Sequence, residues 1–480
     1  MSFESVAAMI EALKPAAAVT ADRITVSQPG GVSAETIDRL AFTAVFGATA
    51  EVRGTARWLI RGLAGAAGIH PASIHDLYMA MGRGEVSGFT VPAINIRAMA
   101  YATARAVVRA AKKLDGGAVI FEIARSEIGY TAQRPHEYAA VMLAAALREG
   151  FSGPLFLQGD HVQVAAKKYN SPDRDKELGM LKGLIAEEIA AGFYNIDIDT
   201  STLVDLDKPT LEEQQRTNFE LAAHFTEYIR QHQPDGVTIS VGGEIGEVGG
   251  KNSDVHELRA FMNGYNATLP KGMAGASKIS VQTGTAHGGF VMPDGTVKKD
   301  VKIDIETLGE LSRIGRKEYG MGGAVQHGAS TLPLDAFDAF PRVGACEIHL
   351  ATDFQNMMYD HPAFPKELKD EMYAWLREHA SEERKPKDTE DQFIYKARKK
   401  AIGPFKERLW HLPPAIGGAI GQSLEERFAF LMRKLEVAGT AAIVARHVKP
   451  AAIAPDRAAE ITAAGGTISA AEKKAEGLAD

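Results

Sequence analysis

Eight short apolar segments, many rich in β-branched residues, alternate along this chain with helical stretches, and few folds accommodate that alternation. The extended runs fall at 89–96, 118–124, 154–159, 194–199, 237–243, 278–283, 322–326 and 345–350. Between them, helical periodicity marks 98–113, 135–149, 178–192, 209–232, 255–264, 305–316 and 334–339. Continuously apolar strands are expected where both faces of a sheet are covered. Eight such βα units in series are the signature of a closed parallel (β/α)8 barrel, an α/β fold. The chain has 480 residues, well beyond the about 250 of a typical barrel. The reading is therefore a TIM barrel over 89–356, with helical extensions at 1–88 and 357–480.

In such a barrel the C-terminal strand ends converge on one mouth, where active sites are built. Three histidines and two acids are expected there. Asp160-His161 follow Leu155-Phe156-Leu157, and Glu244 follows the run from Val237 to Val241. His287 follows Ile279-Ser280-Val281, and His327 follows Ala324-Val325. One strand-end histidine is ordinarily structural. Three on different strands, each beside glycine or an acid, are the donor set a divalent metal such as zinc requires. Asp197 and Asp199, two apart on one strand, point to the same face. Gly288-Gly289 and Gly328-Ala329-Ser330 can expose backbone N–H groups to an oxyanion, with Ser330 and Thr352 adding hydroxyls.

The net charge of −7 and the absence of long Lys/Arg runs argue against a nucleic-acid partner. The one cysteine, Cys346, suits a reducing compartment. The first twenty residues read as a weak amphipathic helix rather than a signal peptide, and no apolar stretch is long enough to span a membrane. These features are those expected of a cytoplasmic enzyme. After the eighth strand, Lys385 to Lys400 holds a basic cluster, either a solvated helix face or a cationic arm reaching toward a phosphate. Pro413-Pro414 is read as a helix break and Gly417-Gly418 as a turn. The last thirty or so residues read as mobile.

The motifs, in this order, resemble those of class II, metal-dependent ketose-bisphosphate aldolases. Val91-Pro92-Ala93-Ile94-Asn95 resembles the family's Pro-Ala-x-Asn first strand, and Gly159-Asp160-His161 its Asp-His. Glu244-Ile245-Gly246 with Gly249-Gly250 is similar to the Glu-Leu-Gly-x-x-Gly-Gly segment. Gly284-Thr285-Ala286-His287-Gly288 is similar to Gly-x-x-His-Gly. His327-Gly328-Ala329-Ser330 resembles the His-Gly-Gly-Ser turn, and Thr352-Asp353 the end of Asn-x-Asp-Thr-Asp.

The resemblance implies His161, His287 and His327 as ligands of a catalytic zinc, with a monovalent cation as a further cofactor. Glu244 with Asp199 corresponds to a second or alternate metal position, and Asp160 to the acid/base at the substrate's C4 hydroxyl. Asn95, Gly288, Gly289, Gly328, Ala329, Ser330, Thr352 and Asp353 correspond to substrate and phosphate contacts. The chain departs from the family in its fifth loop: Lys251-Asn252-Ser253 stand where the family has the acid serving the enediolate, which leaves Glu247 or Asp254 for that task. His349-Leu350-Ala351 replaces Asn-x-Asp, and Ala124 stands where a serine is expected. The implied activity is aldol cleavage of a phosphorylated ketose, by default fructose 1,6-bisphosphate, in a dimer or larger homo-oligomer. The alternatives are an accessory subunit of a tagatose-bisphosphate aldolase, suggested by Glu122 with Arg125-Ser126, and a zinc-dependent lyase or epimerase on a related sugar.

Overall fold

The computed structural model describes residues 2–20, 23–246, 251–285, 289, 291–297 and 303–465. Its centre is a closed barrel of eight parallel strands. They are β1 (Val91–Asn95), β2 (Ile120–Ala124), β3 (Gly153–Gln163), β4 (Asn195–Asp199), β5 (Ser240–Glu244), β6 (Lys278–Val281), β7 (Ala324–Gln326) and β8 (Glu347–Leu350). Each pairs with the next in sequence. The β8–β1 ladder, with Glu347 opposite Val91, closes the ring. Helices separate the strands, as the alternation of apolar runs and helical periods requires. Two of them show why they start where they do. Pro135 opens Pro135–Arg148 at a position that needs no N–H, and Thr210 caps Leu211–His232 by accepting from the Glu213 N–H at 3.2 Å.

β3 runs past its expected end. It continues through Asp160 and His161 to Gln163, and its register against β4 shifts between Gly159 and Val162. Such a bulge inserts an unpaired residue and re-aims the side chains around it. Asp160 and His161 therefore sit within the bulged end of the strand rather than beyond it.

The extensions are mainly helical, with departures from the sequence reading. Residues 1–88 also contain an antiparallel hairpin, Ala17–Val19 with Ile24–Val26, and a ninth strand, Ile69–Ala72. That strand pairs parallel with the start of β3, Ile69 opposite Gly153. Gly417 and Gly418 form no turn: Pro414 starts a helix that runs through both to Lys434, because proline at the first helical position is pre-set for helix. Part of the final segment, expected to be mobile, is a docked helix, Arg457–Gly465. It packs so tightly on Ala50–Ala66 that a Cβ on Gly54 would lie 2.4 Å from the Ile461 Cα. Among the described residues no helix is long and apolar enough to cross a membrane.

Candidate active site and metal centre

The barrel interior is where this chain differs most from an ordinary (β/α)8 core, which is filled by branched aliphatic side chains. Here its lower layer is charged. Lys278, the first residue of β6, is fully buried, and its ammonium donates to Gln158 Oε1 at 2.8 Å, to Asp197 Oδ2 at 2.9 Å and to Glu347. Glu347 also accepts from the Tyr78 hydroxyl and, at 2.9 Å, from Gln158 Nε2. Against the penalty of burial, Lys278 and His349 hold the Glu347 carboxyl down at about 2. Burial outweighs Lys278 at Asp197, whose carboxyl rises to about 6. Glu122 is pushed well above the carboxylate range by burial, and it accepts from Gln158 Nε2 at 2.8 Å.

Two residues further along the same strands lies the upper layer, as the two-residue period of a strand dictates. His349 joins the layers: its Nε2 meets Glu347 Oε1 at 2.5 Å and its Nδ1 meets Asp160 Oδ1 at 3.1 Å. Asp160 accepts a second hydrogen bond, 2.9 Å, from Asn95 Nδ2, which also reaches Glu127 Oε2 at 2.9 Å. Burial alone would raise the Asp160 carboxyl, but the charges of His161 and His349 hold it well below its ordinary range.

His161 occupies the bulge with φ of +40°, a conformation that L residues other than Asn, Asp and His seldom adopt. Its Nδ1 lies 3.0 Å from Asp199 Oδ2 and 3.3 Å from Glu244 Oε2, and its Nε2 lies 3.9 Å from Asp160 Oδ1. Burial works against the imidazolium, yet the charges of Asp160 and Glu244 raise it well above the histidine range. Burial, with Asp199 beside it, pushes the Glu244 carboxyl up to about 7. Ser201, through N–H and hydroxyl at 3.0 and 2.7 Å, and Gln163 Nε2 at 2.5 Å orient Asp199. The His327 ring centres 4.3 Å from that of His161 and 4.0 Å from that of His349, and its Nε2 is 2.8 Å from Ser280 Oγ.

Donor atoms of Asp160, His161 and His327 lie within 4.8 Å of one another, and so do those of His161, Asp199 and Glu244. Imidazole nitrogens with carboxylate oxygens at that spacing fit a borderline cation such as zinc. The orientation of His161 by a carboxylate is the outer-shell support that metal-binding histidines ordinarily have. The expected third histidine, His287, lies outside the described residues, as do Glu247, Gly249, Gly250 and Gly288.

Of the expected phosphate contacts, Gly328, Ala329 and Ser330 follow β7 and Thr352 follows β8. Gly328, at φ +65°, opens the 3-10 turn Ala329–Thr331, and Ser330 Oγ accepts from the Thr352 N–H at 3.1 Å. Thr352 Oγ1 in turn accepts from Arg97 at 3.3 Å, and Gly289 shares a cleft with both. Two expected site residues have other occupations. Asp254 is the N-cap of Val255–Thr268, accepting from the His256 and Glu257 N–H groups at 2.8 and 3.0 Å. Asp353 pairs with Arg427 on the Pro414–Lys434 helix.

Lys278, Glu347 and His349 as site-forming groups, and Arg97, were not singled out by the sequence reading. The available signal was the presence of Lys278, Glu347 and His349 inside short runs expected to be covered on both faces, since charged residues are almost never fully buried unless paired.

Comparison with known proteins bears on the same region. The family model described as fructose-bisphosphate aldolase class-II matches residues 79–404. No curated protein matches the chain. A probable tagatose 6 phosphate kinase from Sinorhizobium meliloti superposes with a TM-score of 0.50 at 17% identity, covering 82% of this chain and 100% of the other. A fructose-bisphosphate aldolase from Campylobacter jejuni gives 0.46 at 18% identity, covering 78% and 97%. A fructuronate-tagaturonate epimerase from Cohnella laeviribosi gives 0.49 at 12% identity, covering 90% and 89%. At 17% identity the first of these shows a likeness of fold alone.

Proposed function

Because the chain belongs to the class II fructose-bisphosphate aldolase family, we propose that it is a zinc-dependent aldolase cleaving a phosphorylated ketose, by default fructose 1,6-bisphosphate. The products are dihydroxyacetone phosphate and an aldehyde. The observation that carries the proposal is the placement of Asp160: a buried carboxylate, held ionised and hydrogen-bonded by Asn95 and His349, beside the His161–His327 pair.

His161, His287 and His327 would hold the zinc, with Glu244 and Asp199 as the alternate position. Bound there, the ion supplies Lewis-acid polarisation of the ketose carbonyl and stabilises the negative charge that develops on it. The chain's own residues do the rest. Asp160 takes the C4 hydroxyl proton, the C3–C4 bond breaks, and its electron pair passes into the C2 carbonyl to give the enediolate. An ionised Asp160 suits a general base at neutral pH, provided the hydroxyl comes within hydrogen-bond reach. Protonation of the enediolate at C3 is assigned to Glu247 rather than Asp254, whose carboxylate is engaged with two backbone N–H groups of its own helix. Gly288, Gly328, Ser330 and Thr352 would hold the substrate phosphate. We assign the enzyme to the cytoplasm as a homo-oligomer.

The test is aldol cleavage of fructose and tagatose 1,6-bisphosphates with zinc, with chelator and with Asp160→Ala. Zinc-dependent triose phosphate release that the substitution reduces by about 10²–10⁴ in kcat is the expected outcome. No turnover of either sugar by protein that binds zinc stoichiometrically would sink the reading.

A further inference from the structure

Asp160 is held from two directions. His349 Nδ1 meets its Oδ1 at 3.1 Å, and the Asn95 amide donates to its Oδ2 at 2.9 Å. His349 is anchored in turn by Glu347 in the layer beneath. Asn95, at the end of β1, is anchored from a different element.

The same Asn95 nitrogen donates, also at 2.9 Å, to Oε2 of Glu127, the third residue of the short helix Arg125–Tyr130 that follows β2. Glu127 is 1% exposed, so water does not compete for its bonds. Its Oε2 accepts a second hydrogen bond, 2.9 Å, from the Ala124 N–H, and its Oε1 pairs with Arg97 Nε. A glutamate at the third position of a helix commonly returns to the N-cap N–H to start the helix. That duty accounts for the Ala124 bond alone. It calls for neither Asn95 nor Arg97, so the carboxylate grips the end of β1 twice for another reason.

The donor count shows what that reason is. Ionised carboxylates only accept, and the two amide protons of an asparagine are both on Nδ2. With Glu127 on one side and Asp160 on the other, each proton serves one carboxylate. Reversing the amide would set Oδ1 against two acceptors. The last torsion of an asparagine is otherwise broad, so Glu127 is what keeps the second proton on Asp160.

We infer that Glu127 is a positioning residue for the general base: acting through Asn95, it sets the Asp160 carboxylate where the substrate hydroxyl meets it. The role of Asp160 as base rests on the aldolase reading; the Glu127–Asn95–Asp160 chain does not.

The experiment uses Glu127→Met, which keeps the bulk of the side chain and removes its acceptors, and Glu127→Gln, which keeps one acceptor oxygen. Glu127→Met is made alone and together with Asn95→Ala. Cleavage of fructose 1,6-bisphosphate by the zinc-loaded, full-length proteins is measured well below their thermal midpoints and expressed per bound zinc. In Glu127→Met, kcat is expected to fall about 10²-fold with KM moving less, and Glu127→Gln should recover most of that loss. Added to Asn95→Ala, Glu127→Met should cost almost nothing more in kcat, because residues that act as one unit are not additive. A lowered thermal midpoint with kcat unchanged, or an equal fall in kcat with and without Asn95, would overturn the inference and leave Glu127 as a helix cap. The crystal structure of Glu127→Met reads the geometry apart from turnover. The Asn95–Asp160 hydrogen bond should be absent from it, and its retention would overturn the inference. A parent protein that binds zinc and cleaves no ketose bisphosphate overturns the aldolase reading, while that crystal structure still decides whether Glu127 sets Asp160.

Discussion

Without metal, His161 holds a proton that zinc must displace, and below about pH 7 Glu244 holds another. The imidazole is raised well above its ordinary range against the penalty of burial by Asp160 and Glu244, and burial beside Asp199 raises the Glu244 carboxyl to about 7. A raised pKa means that the proton is kept up to that pH. Below about 7 both groups must therefore be deprotonated on binding, since metal ligands bind deprotonated. Zinc affinity is expected to climb with pH through about 7, and Glu244→Gln should flatten that part of the climb. Calorimetry in buffers of different ionisation enthalpy measures the protons released; equal heats in all buffers near pH 6 would refute it. Lys278 poses the complementary case. Lys278→Met leaves Asp197 and Glu347 facing each other in the buried interior, and breaking a buried pair this way costs about 3–5 kcal/mol. Chemical denaturation should register that loss. A variant within about 1 kcal/mol of the parent would mean that the two acids are relieved by protonation alone.

At the scale of the element, the bulged end of β3 sets the geometry of the site. Gly159 precedes it, and a Cβ there would stand 2.6 Å from both carboxyl oxygens of Glu188. Glu188 is fully buried, and burial raises its carboxyl well above the usual range. Gly159→Ala must push either the glutamic acid or the bulge aside, an overpacking worth about 1–3 kcal/mol. The expected result is a lowered thermal midpoint together with weakened zinc binding, because His161 rides on the displaced backbone. Weakened stability with zinc affinity unchanged would show that the strand yields elsewhere. The strands themselves were legible, since short apolar runs between helical periods leave little choice of fold, and so were His161, His327, Asp160 and Glu244 at their ends. The hidden part was the layer beneath. Lys278, Gln158, Asp197 and Glu347 come from four strands and meet only when the ring closes, so no local pattern announces their partnership. The bulge was equally silent, because nothing in Gly159-Asp160-His161 distinguishes a strand that bends from one that stops.

Across the whole molecule, the two ends of the chain hold each other against the barrel through Glu460. Its carboxylate pairs with Arg61 Nε at 2.5 Å and His136 Nδ1 at 3.0 Å, with all three side chains largely buried. Nearby, Trp58 Nε1 donates to the Pro455 carbonyl at 3.1 Å and Arg53 to the Ala464 carbonyl at 2.8 Å. Burial opposes the charged form of Glu460, but Arg61 and His136 prevail and its carboxyl is lowered. The sign of the linkage follows. A depressed carboxyl pKa stabilises the folded state above the unfolded-chain value of about 4.3 and loses that contribution as pH falls through the folded value. Glu460→Gln mimics the protonated acid and leaves the buried Arg61 guanidinium without its anion, a loss of about 3–5 kcal/mol. The gap in thermal midpoint between parent and variant should be full near neutrality and should close as pH drops below about 4. Because the tie joins residues 61 and 136 to 460, the variant should also expose the Arg457–Gly465 helix to protease before the barrel unfolds. A gap that persists undiminished at low pH would show that Glu460 acts through packing rather than charge.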